Sequence, residues 1–494
     1  GAATALAIDG KPVPADEIAP IASSANGSVT GPIVRVGYGI IDADSKIDDY
    51  RGKTTVGKIA LVHRFAPSDA KLDGATSARL GDLRYKAFLA RGKGATALIV
   101  VDDGDPKQEE QPLPTLAAAE SLAGIPVLVI TRKAAAGLAK GAHTAKLTVA
   151  LEPVRAKTSN VVGIIRAGAP ARQPGAVVVG AHLDHLGMGG HANALDPTVA
   201  AVHNGADDNA SGVAALLEVA HTLVERRREL TRDVYVVAFS GEEMGDLGSE
   251  LFVKHSPWAT GELGAGPKPP PIVAMINLDM VGRMKMNRLH VNGGDSAKEW
   301  KSLVGPACVA ARVDCAIGGS GYGPSDHLPF YVAGVPVLFF FTGGHSDYHT
   351  ARDDADKINA AGGARVATIV AAATIAAANA PQLAYVKAPP EMPIGGDIPR
   401  RGASLGTVPS YDEDPSRPKG LVLSDVVPEG PAAQAGLMGG DRIIQIDTHE
   451  IANAADLMFV LSSAQPGTPA EVTVMRDDKP VVLRAPYGQP RSRR

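Results

Sequence analysis

Near-continuous apolar runs alternate with helical periods along the middle of the chain. The runs at 177–180, 234–239, 272–278 and 335–341 are rich in Val, Ile, Leu and Phe and carry few polar positions. Such runs suit strands buried on both faces. Between and after them, residues 211–224, 247–254, 296–312 and 358–378 read as helices. This alternation predicts an α/β domain over 155–386, with a mostly parallel central sheet flanked by helices on both faces. In that architecture ligands bind beyond the carboxyl ends of the strands.

Two further blocks flank it. Over 31–152 the chain is β-rich. Strands are expected at 33–36, 58–63, 94–101, 125–130 and 145–149, with helices at 84–90 and 132–139. Residues 1–30 are small, polar and proline-bearing, with no clear period, and form a separate N-terminal segment. Residues 387–400 are Pro- and Gly-rich and read as a linker. A small domain follows over 401–490. It has strands near 420–423, 440–446 and 470–475, a turn at Pro428-Glu429-Gly430-Pro431, and helices near 432–435 and 454–462. The last residues are polar and basic and read as a frayed tail.

Composition narrows the function. At 494 residues the chain is too long for one ordinary core. It is 45% hydrophobic but only 4% aromatic, so its cores rest on Ala, Val, Leu and Ile. Formal net charge is −4, from 49 basic and 53 acidic residues, with no basic stripe, so no nucleic acid partner is expected. No apolar stretch of roughly 18 residues is read, hence no transmembrane segment is expected. Cys308 and Cys315 are close enough to bridge, and two free buried thiols fit equally well. The chain begins at Gly1 without a methionine. A removed upstream segment is expected, with a secreted, periplasmic or otherwise extracytoplasmic location.

The candidate chemistry lies at the strand ends of the middle block. His182 closes the run Val177 to Ala181, and Asp184 follows close enough to hold its ring. Asn204 to Gly212 is a Gly/Asn/Ser-rich turn that feeds a helix. One of its aspartates, Asp207 or Asp208, can bridge two cations, and the small neighbours leave room. Glu242 and Glu243 are adjacent carboxylates at a strand end and repel unless cations or a proton relieve them. One can ligate while the other takes a proton from water. Asp279 ends the next strand, and His349 supplies a second imidazole beside Tyr348, a candidate oxyanion donor. Taken alone, each residue is more often a loop or cap residue. Together they supply the N and O ligands of two Zn²⁺ ions, for which Mn²⁺ or Co²⁺ could substitute. Glu242 then serves as the proton carrier in metal-assisted hydrolysis.

Other polar stretches carry less. His185 and His191 read as loop histidines at the cleft. In Ser325-Asp326-His327, Ser325 and Asp326 cap and orient the loop, and ligation by His327 would add one ligand too many. No Gly-x-Ser-x-Gly lies at a strand-to-helix turn, and the Gly-Gly pairs lack the spacing of a nucleotide loop.

The segments Gly180 to His185, Gly205 to Gly212, Phe239 to Glu243, Asn277 to Met280, Ser325 to His327 and Asp347 to Thr350 resemble, in order, those of the M28 family of zinc aminopeptidases. The resemblance implies that His182 and Asp279 hold one zinc and that Glu243 and His349 hold the other. Asp208 is then the bridge and Glu242 the general base, and Tyr348 steadies the tetrahedral intermediate. Peptide or protein N-termini are the implied substrate. The first block resembles a protease-associated (PA) domain, most clearly over 58–62 and 94–100. In relatives a helical piece of the peptidase precedes that domain; here it is missing or rebuilt from residues 1–30. The third block resembles a PDZ domain over 430–437 and 440–444, which implies a peptide or protein ligand added to a sheet edge. Its carboxylate seat is expected in the loop before Leu421, which lacks a clean Gly-Leu-Gly-Phe.

Two rivals compete with the aminopeptidase. A metallocarboxypeptidase on the same scaffold needs a cation for the substrate carboxylate, and Arg283 or Arg352 could serve. A non-catalytic peptide-binding protein would have lost ligands, and none of the expected ones is missing.

Overall fold

The structure, a computed structural model, describes residues 3–42, 45–68, 70–72, 74–105, 107–116, 123–152, 157–189, 194, 199, 201–255, 271–388, 402–410 and 418–489. His191 and most of the expected 387–400 linker lie outside them.

A seven-stranded sheet forms the middle domain. Its spatial order is Val161–Ile165, Asp233–Phe239, Ala176–His182, Ile272–Leu278, Val337–Phe341, Arg288–Asn292 and Asp314–Ile317. The four strands from Asp233–Phe239 to Val337–Phe341 run parallel. Val161–Ile165 and Arg288–Asn292 are antiparallel to their inner neighbours. The inner strands are apolar on both faces because both are covered. On one face Val177, Val179, Ala274 and Ile276 pack with Leu216, Val219 and Leu223 of the Gly212–Glu225 helix and with Val366, Ile369 and Val370 of Ala360–Asn379. On the other, Val178, Tyr235, Val237 and Met275 meet Phe252, Phe330 and Tyr331 from the helices Leu247–His255 and His327–Val332. Burial of such side chains contributes roughly 1.5–3 kcal/mol each.

Three sequence expectations need correction or completion here. The Ala360–Asn379 helix is long and apolar enough to cross a membrane by length and composition, with mean hydropathy 1.5. Gly362, Gly363 and Arg365 interrupt its first turns, so no unbroken apolar run of that length marks it in the sequence. Over half of it is buried against the Gly212–Glu225 helix and the sheet, the position of a core helix. Cys308 and Cys315 are bonded, with Cα atoms 6.1 Å apart. The bond ties the Trp300–Ala310 helix to the Asp314–Ile317 strand.

Residues 3–30 are not a separate segment. Ala5–Ile8 and Lys11–Pro12 close one end of the eight-stranded first sheet, and Ile18–Pro20 closes the other. These strands are short and broken by proline, so their pairing is set by neighbours and not by a local period. The centre of that sheet is parallel, through Gly27–Arg35, Ile59–His63, Ala97–Val101 and Val127–Ile130.

The third domain is a five-strand path, Thr407–Pro409, Leu421–Val426, Arg442–Ile446, Pro469–Arg476 and Lys479–Pro486, with His449–Glu450 paired to the third. The Leu421–Val426 strand has a neighbour on each side, so it cannot accept an added strand. Among the described residues the open edge is Thr407–Pro409, preceded by Ser404-Leu405-Gly406. The open edge therefore lies at Thr407–Pro409 and not at Leu421, where the seat was expected. Its short strand carries little periodic signal.

The first and third domains share a core. The Phe459 ring lies 5.4 Å from both Tyr85 and Phe88. Arg91 pairs with Asp456 at 2.7 Å, with both side chains largely buried. In the same Leu83–Gly92 helix, Lys86 is fully buried, and among the described residues no carboxylate lies at hydrogen-bond distance from it. Its Nζ donates to the carbonyls of Tyr38 at 2.7 Å and His63 at 2.8 Å, and to that of Phe65. Lys86→Met keeps the stem and strips three part-buried backbone hydrogen bonds of their donor, an expected loss of about 3 kcal/mol. The first unfolding transition of the full chain in urea should move to lower denaturant, whereas an unchanged midpoint would show that water replaces the ammonium.

Candidate metal centre

The buried strand Ala176–His182 delivers His182 to its carboxyl end at 1% exposure. Asp233–Phe239 leads to Glu242 and Glu243, and Ile272–Leu278 leads to Asp279. These three strands are adjacent and parallel, so their ends open onto one cleft. Asp208 comes from the turn that starts the Gly212–Glu225 helix. At Gly205 the backbone has φ +59°, and a Cβ would lie 2.2 Å from Asp208 O and 2.6 Å from the His185 ring, so only glycine fits. His349 arrives on the loop after Val337–Phe341 with φ +53°, and Met280 beside Asp279 has φ +51°. Non-glycine residues held in this region cost on the order of 1–3 kcal/mol each and persist where surrounding contacts over-determine them.

The Asp208 carboxylate spans the centre. Its Oδ1 lies 3.3 Å from His182 Nε2 and its Oδ2 lies 3.2 Å from His349 Nε2. Around His182 stand Asp279 Oδ1 at 3.4 Å and Glu242 Oε2 at 3.9 Å. Around His349 stands Glu243 Oε2 at 3.0 Å, while Glu243 Oε1 meets His185 Nδ1 at 2.6 Å. The donor atoms form two groups of metal-holding size, His182/Glu242/Asp279 and His185/Asp208/Glu243. Among the described residues His182 Nε2 and Asp279 Oδ1 are buried and have no well-aligned hydrogen bond, meeting their neighbours only at ion-pair distance. Orphaned buried polar atoms are costly, and here both face the same point. An imidazole and carboxylate set of this kind fits zinc.

The electrostatics agree. Burial pushes Glu242 well above the usual carboxylate range, and although His182 opposes it, Asp246, Asp279 and Glu243 add to the rise. Burial also lifts Asp279 despite its contact with His182. Burial opposes protonation of His182, but the charges of Glu242 and Asp279 override it and hold the ring well above the ordinary histidine value. Burial likewise opposes protonation of His349, yet Asp208 and Glu243 raise it to about 10. Glu243 and Asp208 are held low: burial works against this, and hydrogen bonds from the imidazoles prevail. The carboxylates here outnumber the neutralising groups, the condition that cations relieve.

Supports surround the cluster. His182 Nδ1 contacts the backbone carbonyl of Asp184 at 3.1 Å, while the Asp184 carboxylate is 3.8 Å away. That carboxylate instead accepts the amides of Glu242 at 3.2 Å and Glu243 at 3.4 Å. Asp184 thus orients the ring through its main chain and the glutamate loop through its side chain. Ser325 donates to Asp279 Oδ2 at 2.8 Å, and Asn277 Nδ2 donates to Ser325 at 2.7 Å. Asp353 Oδ2 accepts the amides of Asp207 at 2.8 Å and Asp208 at 3.0 Å. Its Oδ1 binds Arg283 at 2.7 Å. Asp207 accepts from Ser211, Gly282 N and His345, so it is occupied away from the centre. Tyr348 stacks on His349, ring centroids 3.8 Å apart.

The structure therefore brings His182, Asp208, Glu242, Glu243, Asp279 and His349 together, with Tyr348 and Asp184 at the margin. His327 stays apart, stacked on Phe339 and fully buried; burial holds it down to about 3. Sequence reasoning missed the contact of His185 with Glu243 and the roles of Asp353 and Arg283. The doublet Asp184-His185 was the only local signal for the first. Nothing local points to Asp353, which acts across more than a hundred residues.

An α/β sheet with paired His/carboxylate clusters at its parallel strand ends places a candidate two-metal site where such folds bind ligands. Residues 160–374 match the model of peptidase family M28, residues 29–138 that of the PA domain and residues 403–485 that of the PDZ domain. The middle domain is thus similar to peptidase family M28, and the domains on either side of it are similar to the PA and PDZ domains. Aminopeptidase YwaD of Bacillus subtilis (strain 168) is 29% identical over 349 residues, 67% of this chain and 63% of that protein. The probable lipoprotein aminopeptidase LpqL of Mycobacterium tuberculosis is 31% identical over 171 residues, 34% of this chain and 29% of that protein. The chain thus spans less than two thirds of the length of these curated relatives. Among solved structures, BSAP, a zinc aminopeptidase from Bacillus subtilis, has 26% identity and a TM-score of 0.45, over 75% of this chain and 80% of that one.

Asp353→Ala removes the acceptor of two amides and one guanidinium, all buried or largely so. Breaking such a buried charged pair typically costs roughly 3–5 kcal/mol. Thermal unfolding of the full chain should show a clear fall in the peptidase-domain transition; a change within error would mean that Asp347 alone satisfies Arg283.

Proposed function

We propose that this chain is a dinuclear zinc aminopeptidase that removes N-terminal residues from peptides. The observation that carries the reading is Asp208, which turns one carboxylate oxygen to each of two imidazoles at 3.3 and 3.2 Å. His182 and Asp279 would hold one ion and Glu243 and His349 the other, with Asp208 shared between them. A zinc pair supplies carbonyl polarisation and water with a pKa lowered to about 7. Glu242 is the surplus carboxylate. It takes a proton from the attacking water and returns it to the leaving amine. Tyr348 offers a phenol beside His349 to the oxygen that gains charge. Asp184 keeps Glu242 aimed by holding its amide.

Arg283, the candidate for a carboxypeptidase, is consumed by Asp353 at 2.7 Å and Asp347 at 3.3 Å. Arg352 is 61% exposed and leans on Asp347. YwaD, the relative named above, is itself an aminopeptidase. The PDZ domain, by its open Thr407–Pro409 edge, would take an extended peptide as a partner. The Cys308–Cys315 bond and a relative named as a lipoprotein support an extracytoplasmic location.

Metal-loaded protein should bind two equivalents of zinc, lose turnover of leucyl and alanyl amides on chelation, and regain it with zinc, manganese or cobalt. Glu242→Gln should lower kcat by roughly 10²–10⁴-fold with both metals retained. Release of residues from the carboxyl end, with N-terminal amides untouched, would overturn the reading.

A further inference from the structure

Asp425, near the end of the PDZ strand Leu421–Val426, turns its carboxylate toward the peptidase domain. It accepts from Tyr322 Oη at 3.0 Å and from Lys387 Nζ at 2.9 Å. Its side chain is 14% exposed, and the contact with Tyr322 is part-buried, whereas Lys387 is 43% exposed and its ion pair is of the weaker surface kind.

Tyr322 sits on the loop that ends in Ser325, the residue that fixes Asp279. That bond engages Oδ2 of Asp279 and leaves Oδ1 facing His182 at 3.4 Å. The loop has no slack. At Gly321 a Cβ would lie 2.4 Å from the Tyr331 ring and 2.8 Å from Val337, so the backbone is pressed against both. Tyr322 stands edge-on to Tyr331 with centroids 5.0 Å apart. Tyr331 packs on Tyr385 at 5.4 Å, and its Oη accepts from Ala388 N at 2.8 Å. The three tyrosines thus join the loop to the segment that leads toward the PDZ domain. In close-packed surroundings a shift at Tyr322 cannot be absorbed locally.

We propose that Asp425 is a positioning residue for the metal centre, supplied by the PDZ domain. It holds Tyr322, which sets the loop, which sets Ser325 against Asp279. The effect on turnover rests on the aminopeptidase reading; the coupling of loop to ligand does not. If Asp425 only docked the domain, its loss would lower thermal stability and leave Asp279 as oriented as before. Lys387 provides the comparison, since it binds the same carboxylate without touching the loop.

The test uses the full chain with Asp425→Asn, Tyr322→Phe, Ser325→Ala, Lys387→Met and the double variant Asp425→Asn/Ser325→Ala. Three quantities are read: hydrogen exchange of the metal-free protein over 318–328, zinc affinity against a chromophoric chelator, and kcat and KM on leucine p-nitroanilide. Asp425→Asn and Tyr322→Phe should speed exchange in the loop, weaken one zinc equivalent about 10-fold, and lower kcat with KM little changed. They should add nothing to Ser325→Ala, and Lys387→Met should leave zinc affinity intact. Unchanged exchange and zinc affinity, effects that add to those of Ser325→Ala, or an equal loss in Lys387→Met would each overturn the proposal, whatever happens to the melting temperature. A wild-type chain inactive on every amide would instead sink the aminopeptidase reading, and the exchange and zinc measurements would still decide this one.

Discussion

Four carboxylates share one buried cleft, and that crowding is the constraint on which the rest of the structure depends. Asp208, Glu242, Glu243 and Asp279 cannot all be anions in low dielectric without compensating charge. The chain supplies part of it through His182, His185 and His349, each within 3.3 Å of a carboxylate oxygen. What remains is a deficit of positive charge centred between two imidazoles. Asp208 defines the spacing because its two oxygens point to opposite sides. A pair of cations would turn the repulsion among these groups into cohesion.

Holding such a cluster requires rigidity from outside it. The Asp208 backbone is held by Asp353, whose other oxygen is held by Arg283, which in turn reaches Asp347. Asp347 lies two residues before His349, so this network ties the bridging residue to the loop that brings the second imidazole. Asn209 donates to Leu278 O at 3.0 Å and accepts from Met280 N at 3.2 Å, which clamps the same turn to the strand end before and after Asp279. The left-handed backbone at Met280 and His349 is tolerated because these contacts leave no alternative path. Arg283 therefore serves the fold of the site, and its charge is unavailable to a substrate carboxylate.

How much of this was legible in the sequence follows from range. The inner strands were readable because each is a long apolar run, and their ends carry the ligands by a general rule of α/β folds. Val161–Ile165, Arg288–Asn292 and Asp314–Ile317 were not, since these short strands toward the sheet margins are interrupted by glycine or polar residues and are stabilised by their neighbours. Residues 5–20 failed for the same reason. Among site residues, those adjacent to strand ends could be nominated, and the two aspartates of Asn204 to Gly212 could be separated only by resemblance. The structure separates them by contact: Asp207 faces Ser211, Gly282 and His345, and Asp208 faces the two imidazoles. Asp353, Arg283 and Asp425 act across sequence separations that no local pattern records. Asp184 was assigned to the right ring through the wrong atom, because a sequence does not show whether main chain or side chain makes a contact.

The same geometry changes what the PDZ domain can be. It is anchored to the PA domain by an apolar contact at Phe459 and a shielded ion pair at Asp456, and to the peptidase domain by Asp425. A tether would need neither buried contact. In the strand ladder Asp425 pairs with Val408, a residue of the open-edge strand Thr407–Pro409. Only one strand therefore separates the edge that could accept a peptide from the carboxylate that holds Tyr322. The register is irregular between Val408 and Pro409, so the ladder is least constrained at that point. A strand added there would alter the pairing next to Asp425, and the tightly packed tyrosines would carry the change toward Ser325. Proximity of the edge to the loop that carries Ser325, rather than any contact between peptide and metal centre, is what would let this domain influence the site.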